Sequence, residues 1–174
     1  MKKYILIVLF LLFAVLLYRS VPAYAVSLEK KSEYVLPYPG MLADNPLYFL
    51  KKLRDKILEN LIADPTRKIE FYILQSDKEL SAGVLMGSKD KQELVGESFT
   101  QAGAYMEQAV KRAGDLKSQG KDMSSIVDRL GNSLGKHEEL LNDFVSKATE
   151  AQKVNLKSDQ ELVKKLQADV TAIQ

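Results

Sequence analysis

The chain has no cysteine, no tryptophan and a single histidine in 174 residues. Without cysteine it has no disulfide, no thiolate chemistry, no sulfur ligand for a metal and no thiol to acylate. Without tryptophan, its aromatic surface is limited to eight Tyr and six Phe. A single histidine cannot build a multi-histidine metal site, and it confines any Ser-His-Asp relay to His137. The sequence contains no Gly-rich phosphate loop. No segment alternates polar and apolar residues convincingly, which argues against β-strands. The expectation is a non-enzyme with no catalytic residue, no cofactor and no metal.

Long apolar runs are equally scarce. The outstanding one is Tyr4 to Tyr18, preceded by Met1-Lys2-Lys3 and followed by Arg19 and Ser20-Val21-Pro22-Ala23-Tyr24-Ala25. A charged start, an apolar core and a small-x-small exit at Ala23 and Ala25 have the form of a secretory signal over residues 1–25. Fifteen apolar residues fall short of the ~18–20 that span a bilayer. An uncleaved anchor is the rival, with Tyr18 and Arg19 at the interface and residues 1–18 in contact with the membrane. Either way the expected location is extracytoplasmic. Losing Lys2, Lys3 and Arg19 leaves 22 basic against 23 acidic side chains, a formal net of −1 where the whole chain has +2. A near-neutral domain gives no electrostatic case for nucleic acid.

Residues 26–45 read as a connector, with Pro37-Tyr38-Pro39-Gly40 forcing an extended path and then permitting a turn. Residues 46–174 read as one all-α domain, an antiparallel bundle of about five helices. Asn45-Pro46 and Asp64-Pro65 are cap-plus-proline starts for helices 1 and 2. Leu47, Leu50, Leu53, Ile57 and Leu61 share one side of helix 1, which runs to about Ile62. Helix 2 carries Ile69, Ile73, Ser76, Leu80 and Gly83 at the same kind of spacing. Gly87-Ser88 punctuates, with Ser88 expected to cap helix 3.

Two unbroken +4, +3 series follow. One runs Val95, Phe99, Ala102, Met106, Ala109, Ala113, Leu116, and the other Met123, Val127, Leu130, Leu134, His137, Leu141, Phe144, Ala148. They predict a long helix 3/helix 4 hairpin turning at residues 118–122, with Leu and Phe of helix 4 filling the space over the alanines of helix 3. Val154 to Lys157 reads as a break, and Ser158 with Glu161 as the capping box of helix 5.

Few residues stand out as sites. His137 lies on the helix 4 seam and is chiefly a packing residue, with a pH-sensing role as the alternative. Tyr34, Tyr38, Tyr48 and Phe49 form the densest aromatic patch. They either staple the connector to the bundle or present an interaction surface. Gly83/Gly87 and Gly131/Gly135 mark close helix crossing or weak points. Lys51/Asp55, Glu107/Lys111 and Glu161/Lys165 read as surface pairs one turn apart.

The stretch Tyr34-Val35-Leu36-Pro37-Tyr38-Pro39-Gly40-Met41-Leu42-Ala43-Asp44-Asn45-Pro46-Leu47-Tyr48-Phe49-Leu50-Lys51-Lys52 resembles the Leu-Pro-Gly…Pro-Leu-Tyr-x-Leu-Lys-Arg signature of exported bacterial helical domains grouped as domain of unknown function 5667. Asp64-Pro65-Thr66-Arg67-Lys68-Ile69-Glu70 and Glu79-Leu80 are similar to that family's second helix. The resemblance covers about Tyr34 to Phe144. It departs in a longer insertion between Gly40 and Pro46 and in Lys52 where Arg is common. It implies an extracytoplasmic helical domain and brings no catalytic or ligand residues.

The function expected is therefore an exported or membrane-tethered, non-enzymatic module that binds a protein or an envelope component, with oligomerisation open. The alternative is an extracytoplasmic stress sensor or holdase with a concave, partly apolar face, and an enzyme is the remote third.

Overall fold

The computed structural model describes residues 34–173, so the signal or anchor segment 1–25 and connector residues 26–33 lie outside the described residues. Residues 34–47 run without regular helix along the bundle. Five helices follow: α1 (Tyr48–Leu61), α2 (Pro65–Ser88), α3 (Gln92–Ser118), α4 (Ser124–Lys147) and α5 (Glu150–Ile173). No strand occurs among the described residues, and the fold is an all-α bundle.

Local chemistry explains the ends. Asp64 accepts from the Arg67 amide at 2.8 Å with Pro65 opening α2, as its sequence implies. Asn45-Pro46 does not cap α1 as its sequence implies: Asn45 accepts from the Leu47 amide at 2.9 Å, forming a turn, and α1 begins at Tyr48 without a side-chain cap. Both α2 and α3 end in the same paired bonds. Lys91 and Lys121 donate back to Met86 and Leu116, and Asp90 and Gly120 donate to Gly87 and Lys117. This closure needs a left-handed residue. Gly120 supplies it at φ 79°, and Asp90 adopts it at φ 57° without glycine's freedom.

Two expected boundaries move. Ser88 does not cap α3; α2 runs through it, and its hydroxyl donates to the Leu85 carbonyl. The break expected at 154–157 lies instead at Ala148-Thr149. Gln152 Oε1 accepts from both the amide and the hydroxyl of Thr149. That capping box starts α5 about two turns before Ser158, which is mid-helix.

Four helices form the core as two antiparallel hairpins laid side by side. In the first, Gly83 faces Phe99 and the Ser76 hydroxyl donates to the Ala102 carbonyl at 2.7 Å, so numbers rise on α2 as they fall on α3. In the second, Asn142 meets Gln160 and Glu138 meets Gln167. Between hairpins the helices run parallel. Thr100 meets Asp159, Gly103 meets Leu162 and Gly114 meets Ile173. Asp77 meets Ser133, and Gly87 meets Phe144.

The order around the bundle is therefore α2, α3, α5, α4. The chain reverses between α3 and α4 as expected, but these two arms lie across the diagonal, and the extensive contacts are α2 with α3 and α5 with both α3 and α4. At Ala102 the small seam of α3 admits α2 rather than α4.

The buried seams of α2 to α4 match the sequence pattern closely. Ile69, Ile73, Leu80, Val95, Phe99, Met106, Leu130, Leu134 and Leu141 are all inside. Phe99 and Phe144 stack edge to face at 5.0 Å over Gly83 and Gly87. None of the extensive helix–helix contacts involves α1.

Candidate functional site

α1 faces the wrong way for an ordinary amphipathic helix. Its apolar residues Phe49, Leu50, Leu53, Ile57 and Leu61 are 46–72% exposed, while Lys51 and Asp55 are 5% exposed. The stripe expected to face the core faces outward. The reason is visible on α2, where Glu79 is buried and presents a carboxylate toward α1. Lys51 Nζ pairs with Glu79 in a short buried contact, and Tyr48 donates to the same carboxylate at 3.3 Å. Two turns further, Tyr72 of α2 donates to Glu59 at 2.8 Å. Turning α1 over would bury Leu53 and Ile57 but leave Glu79 without its cation, and a buried unpaired charge costs several kcal/mol.

The remaining charges of α1 border the stripe. Arg54 holds Asp55 at 2.6 Å, and Lys56 holds Glu59 at 3.0 Å. Lys52 lies over the Tyr48 ring at 5.5 Å. Both acids turn inward, with Asp55 6% and Glu59 23% exposed, while Arg54 and Lys56 are 58% and 71% exposed. Burial, with Arg54 and Lys51 nearby, lowers the Lys78 pKa on the adjoining surface. The surface of α1 is therefore apolar with a basic border.

Between α1, α2 and α3 lies an open cleft of about 510 Å³, lined by Tyr48, Lys51, Glu59, Tyr72, Glu79 and Tyr105 among others. Lys51 pairs with Glu79 and Lys56 with Glu59, while Asp55 is held by Arg54 and Lys52 lies over the Tyr48 ring. Burial, then Glu79 and Asp55, pushes Tyr105 up to about 12, so it stays a neutral phenol.

The predicted aromatic patch divides into two inward and two outward residues. Tyr34 donates to Asp77 Oδ2 at 2.6 Å and its pKa rises to about 12, chiefly through burial. Tyr48 binds Glu79. These two staple the connector and α1 to α2. Tyr38 and Phe49 point outward, 46% and 60% exposed. Asp44 adds a third fastening, accepting from Lys89 and Lys91 at 3.0 and 2.9 Å.

His137 belongs to a closed polar cluster. Ser76 Oγ lies 3.2 Å from its Nε2, and Asp77 Oδ1 lies 4.0 Å from the same nitrogen. Because the Ser76 proton goes to Ala102, its oxygen accepts at the histidine, and Nε2 carries the ring proton. A catalytic relay needs the acid on Nδ1 and the serine on Nε2. Here both crowd one nitrogen, and Ser76, Asp77 and His137 are at most 1% exposed. Burial lowers the His137 pKa to about 4, leaving the ring neutral across pH 5–8. Asp77 also accepts from Ser133 at 2.5 Å, and burial raises its pKa.

Sequence reasoning missed Glu79 and Asp77, the two acids that fix α1 and the connector. A signal existed in α2, where the polar residues Gln75, Ser76, Asp77 and Glu79 cluster between Ile73 and Leu80, at positions that all prove buried. The surface pairs also changed: Lys51 leaves Asp55 for Glu79, and Lys165 comes 3.9 Å from Glu107 across α3 and α5. Among the described residues no group of three or more His, Asp or Glu could hold a metal ion, and no helix is long and apolar enough to cross a membrane. Searches against protein-family models, curated proteins and solved structures gave no match.

Proposed function

We propose that this chain is an exported or membrane-tethered, non-enzymatic helical module that binds an envelope component through α1. The observation that carries the reading is the apolar stripe of α1 held outward by a buried Lys51–Glu79 pair. A helix that needed only to complete the core would bury that stripe. Exposing five large apolar side chains in one row is costly in water unless something covers them.

The resemblance to domain of unknown function 5667 enters here as a proposal. The residues that carry it most strongly, Pro46 to Lys52, lead into α1. Tyr48 and Lys51 of that segment point inward, and Leu47, Phe49 and Leu50 point outward. A holdase would want a concave apolar face, whereas the cleft beside α1 is lined by charges and phenols.

A photo-crosslinking residue at Leu53, in the native cell, tests the reading, with Lys164 on α5 as the control. An envelope product from position 53 and none from 164 is expected. No product from 53 overturns the proposal. Intact mass of the exported protein separates cleavage after Ala25 from retention of the anchor.

A further inference from the structure

On a helical wheel, Phe49, Leu50, Leu53, Ile57 and Leu61 lie within an arc of roughly 120° at 100° per residue, interrupted only by Asn60 near its C-terminal end, whose amide donates to the Lys56 carbonyl. Lys52 and Lys56 stand along one border of this arc and Arg54 along the other. All three are exposed. The two acids of α1 lie on the opposite, bundle-facing side, committed to Arg54, Lys56 and Tyr72.

We propose that α1 is an in-plane membrane-docking helix, whose apolar stripe enters the interfacial zone of an anionic phospholipid bilayer while its bordering cations reach the headgroups. The inference rests on the reading of α1 as the binding surface and names what it binds. Long basic side chains at the edges of an apolar face suit a lipid surface, because their stems cover apolar area while their charges rise to the phosphates.

The same charge pattern disfavours a second copy of this chain. Pairing two stripes about a twofold axis would set basic borders against basic borders, with no exposed acid of α1 to meet them. Docking needs no movement of the helix, since the Lys51–Glu79 and Tyr72–Glu59 bonds hold it in place with its stripe already presented, and only the exposed Arg54 and Lys56 side chains must turn from Asp55 and Glu59 toward the headgroups. If the apolar run Tyr4–Tyr18 is retained, only residues 19–33 separate it from the described chain, and α1 is kept beside the bilayer.

The absence of cysteine makes the test clean. The full chain carrying Leu53→Cys, labelled with an environment-sensitive fluorophore, is mixed with phosphatidylcholine vesicles or with 7:3 phosphatidylcholine:phosphatidylglycerol vesicles. Lys164→Cys is the control. The N-terminal run is present in every arm, so only the site-specific signal reports on α1. The expected result is a blue shift and shielding from aqueous quencher at position 53 on anionic vesicles. Raising salt should reverse it, and neither neutral vesicles nor position 164 should reproduce it. Adding Lys52→Gln and Lys56→Gln should weaken the response about tenfold or more.

An unchanged signal at 53 on anionic vesicles, an equal response on neutral ones, or a signal that depends on protein concentration without vesicles overturns the lipid assignment. If position 53 fails on vesicles yet crosslinks to an envelope protein in cells, the lipid inference falls and the binding-surface reading stands. If both fail, both fall.

Discussion

A methyl group added at Gly83 would lie 2.4 Å from Cε1 of Phe99, and one added at Gly87 would lie 2.6 Å from Cε1 of Phe144. The two rings hold each other edge to face, so neither can swing aside cheaply. At Gly131 and Gly135 an added methyl meets nothing within 4 Å. Two identical spacings thus have opposite meanings. Gly83→Ala is expected to destabilise by about 1–3 kcal/mol through overpacking. Gly131→Ala should stabilise by roughly 0.5–1 kcal/mol through helix propensity, and urea titration of the two variants checks both signs.

His137 supplies a second prediction at this scale. Its folded pKa of about 4 lies below the ordinary 6.5, so between those values the unfolded chain binds a proton that the folded chain refuses. Its contribution is absent above pH 6.5 and grows to a loss of about 3 kcal/mol as pH falls to 4. NMR should show a neutral, Nε2-protonated ring in the folded protein at pH 5, and a titration midpoint near 6.5 would contradict the closed cluster.

α1 is the element whose orientation its own pattern misstates. Periodicity places Leu53 and Ile57 on one face, and that is correct. Periodicity cannot say which face meets the bundle, because that depends on Glu79, some 28 residues away and on another helix. The seams of α2, α3 and α4 were legible because each of those helices buries its own apolar row. Their pairing was not, because Ala102 and Gly83 permit close approach without naming the neighbour, and the neighbour is chosen by contacts such as Ser76 to Ala102 and Asp77 to Ser133.

The same logic gives an element-scale prediction. Lys51→Met leaves Glu79 buried with only the Tyr48 hydroxyl, a loss of about 3–5 kcal/mol if α1 stayed in place. α1 has no extensive packing to resist release, so the helix should detach and let Glu79 hydrate. Hydrogen exchange should then show lost protection over residues 48–61 with the amides of α2 to α5 nearly unchanged. Cooperative loss across all five helices would mean that α1 is part of the core.

At the scale of the whole molecule, two hairpins are joined along two parallel seams, and each seam carries a buried acid. Asp77 on the α2/α4 seam is satisfied by the Ser133 and Tyr34 hydroxyls. Asp159 on the α3/α5 seam has the Thr100 hydroxyl at 3.3 Å to both oxygens, a poorer arrangement. Burial, opposed by that one hydroxyl, raises its pKa to about 6. The sign is opposite to that of His137. Because the folded carboxyl binds its proton more tightly than the unfolded one, its penalty is absent below about pH 3.8, grows through pH 6 and is constant above. Asp159→Asn keeps the shape and can still accept from Thr100 without the charge. It is therefore expected to raise stability at pH 7.5 by about 1 kcal/mol after allowance for solvent screening. That gain should shrink as pH falls and disappear near pH 4. Urea unfolding of wild type and variant at pH 4, 5.5 and 7.5 reads this directly. A constant difference across that range would mean that Asp159 is already hydrated in the folded bundle, and that the seam between the hairpins is open there.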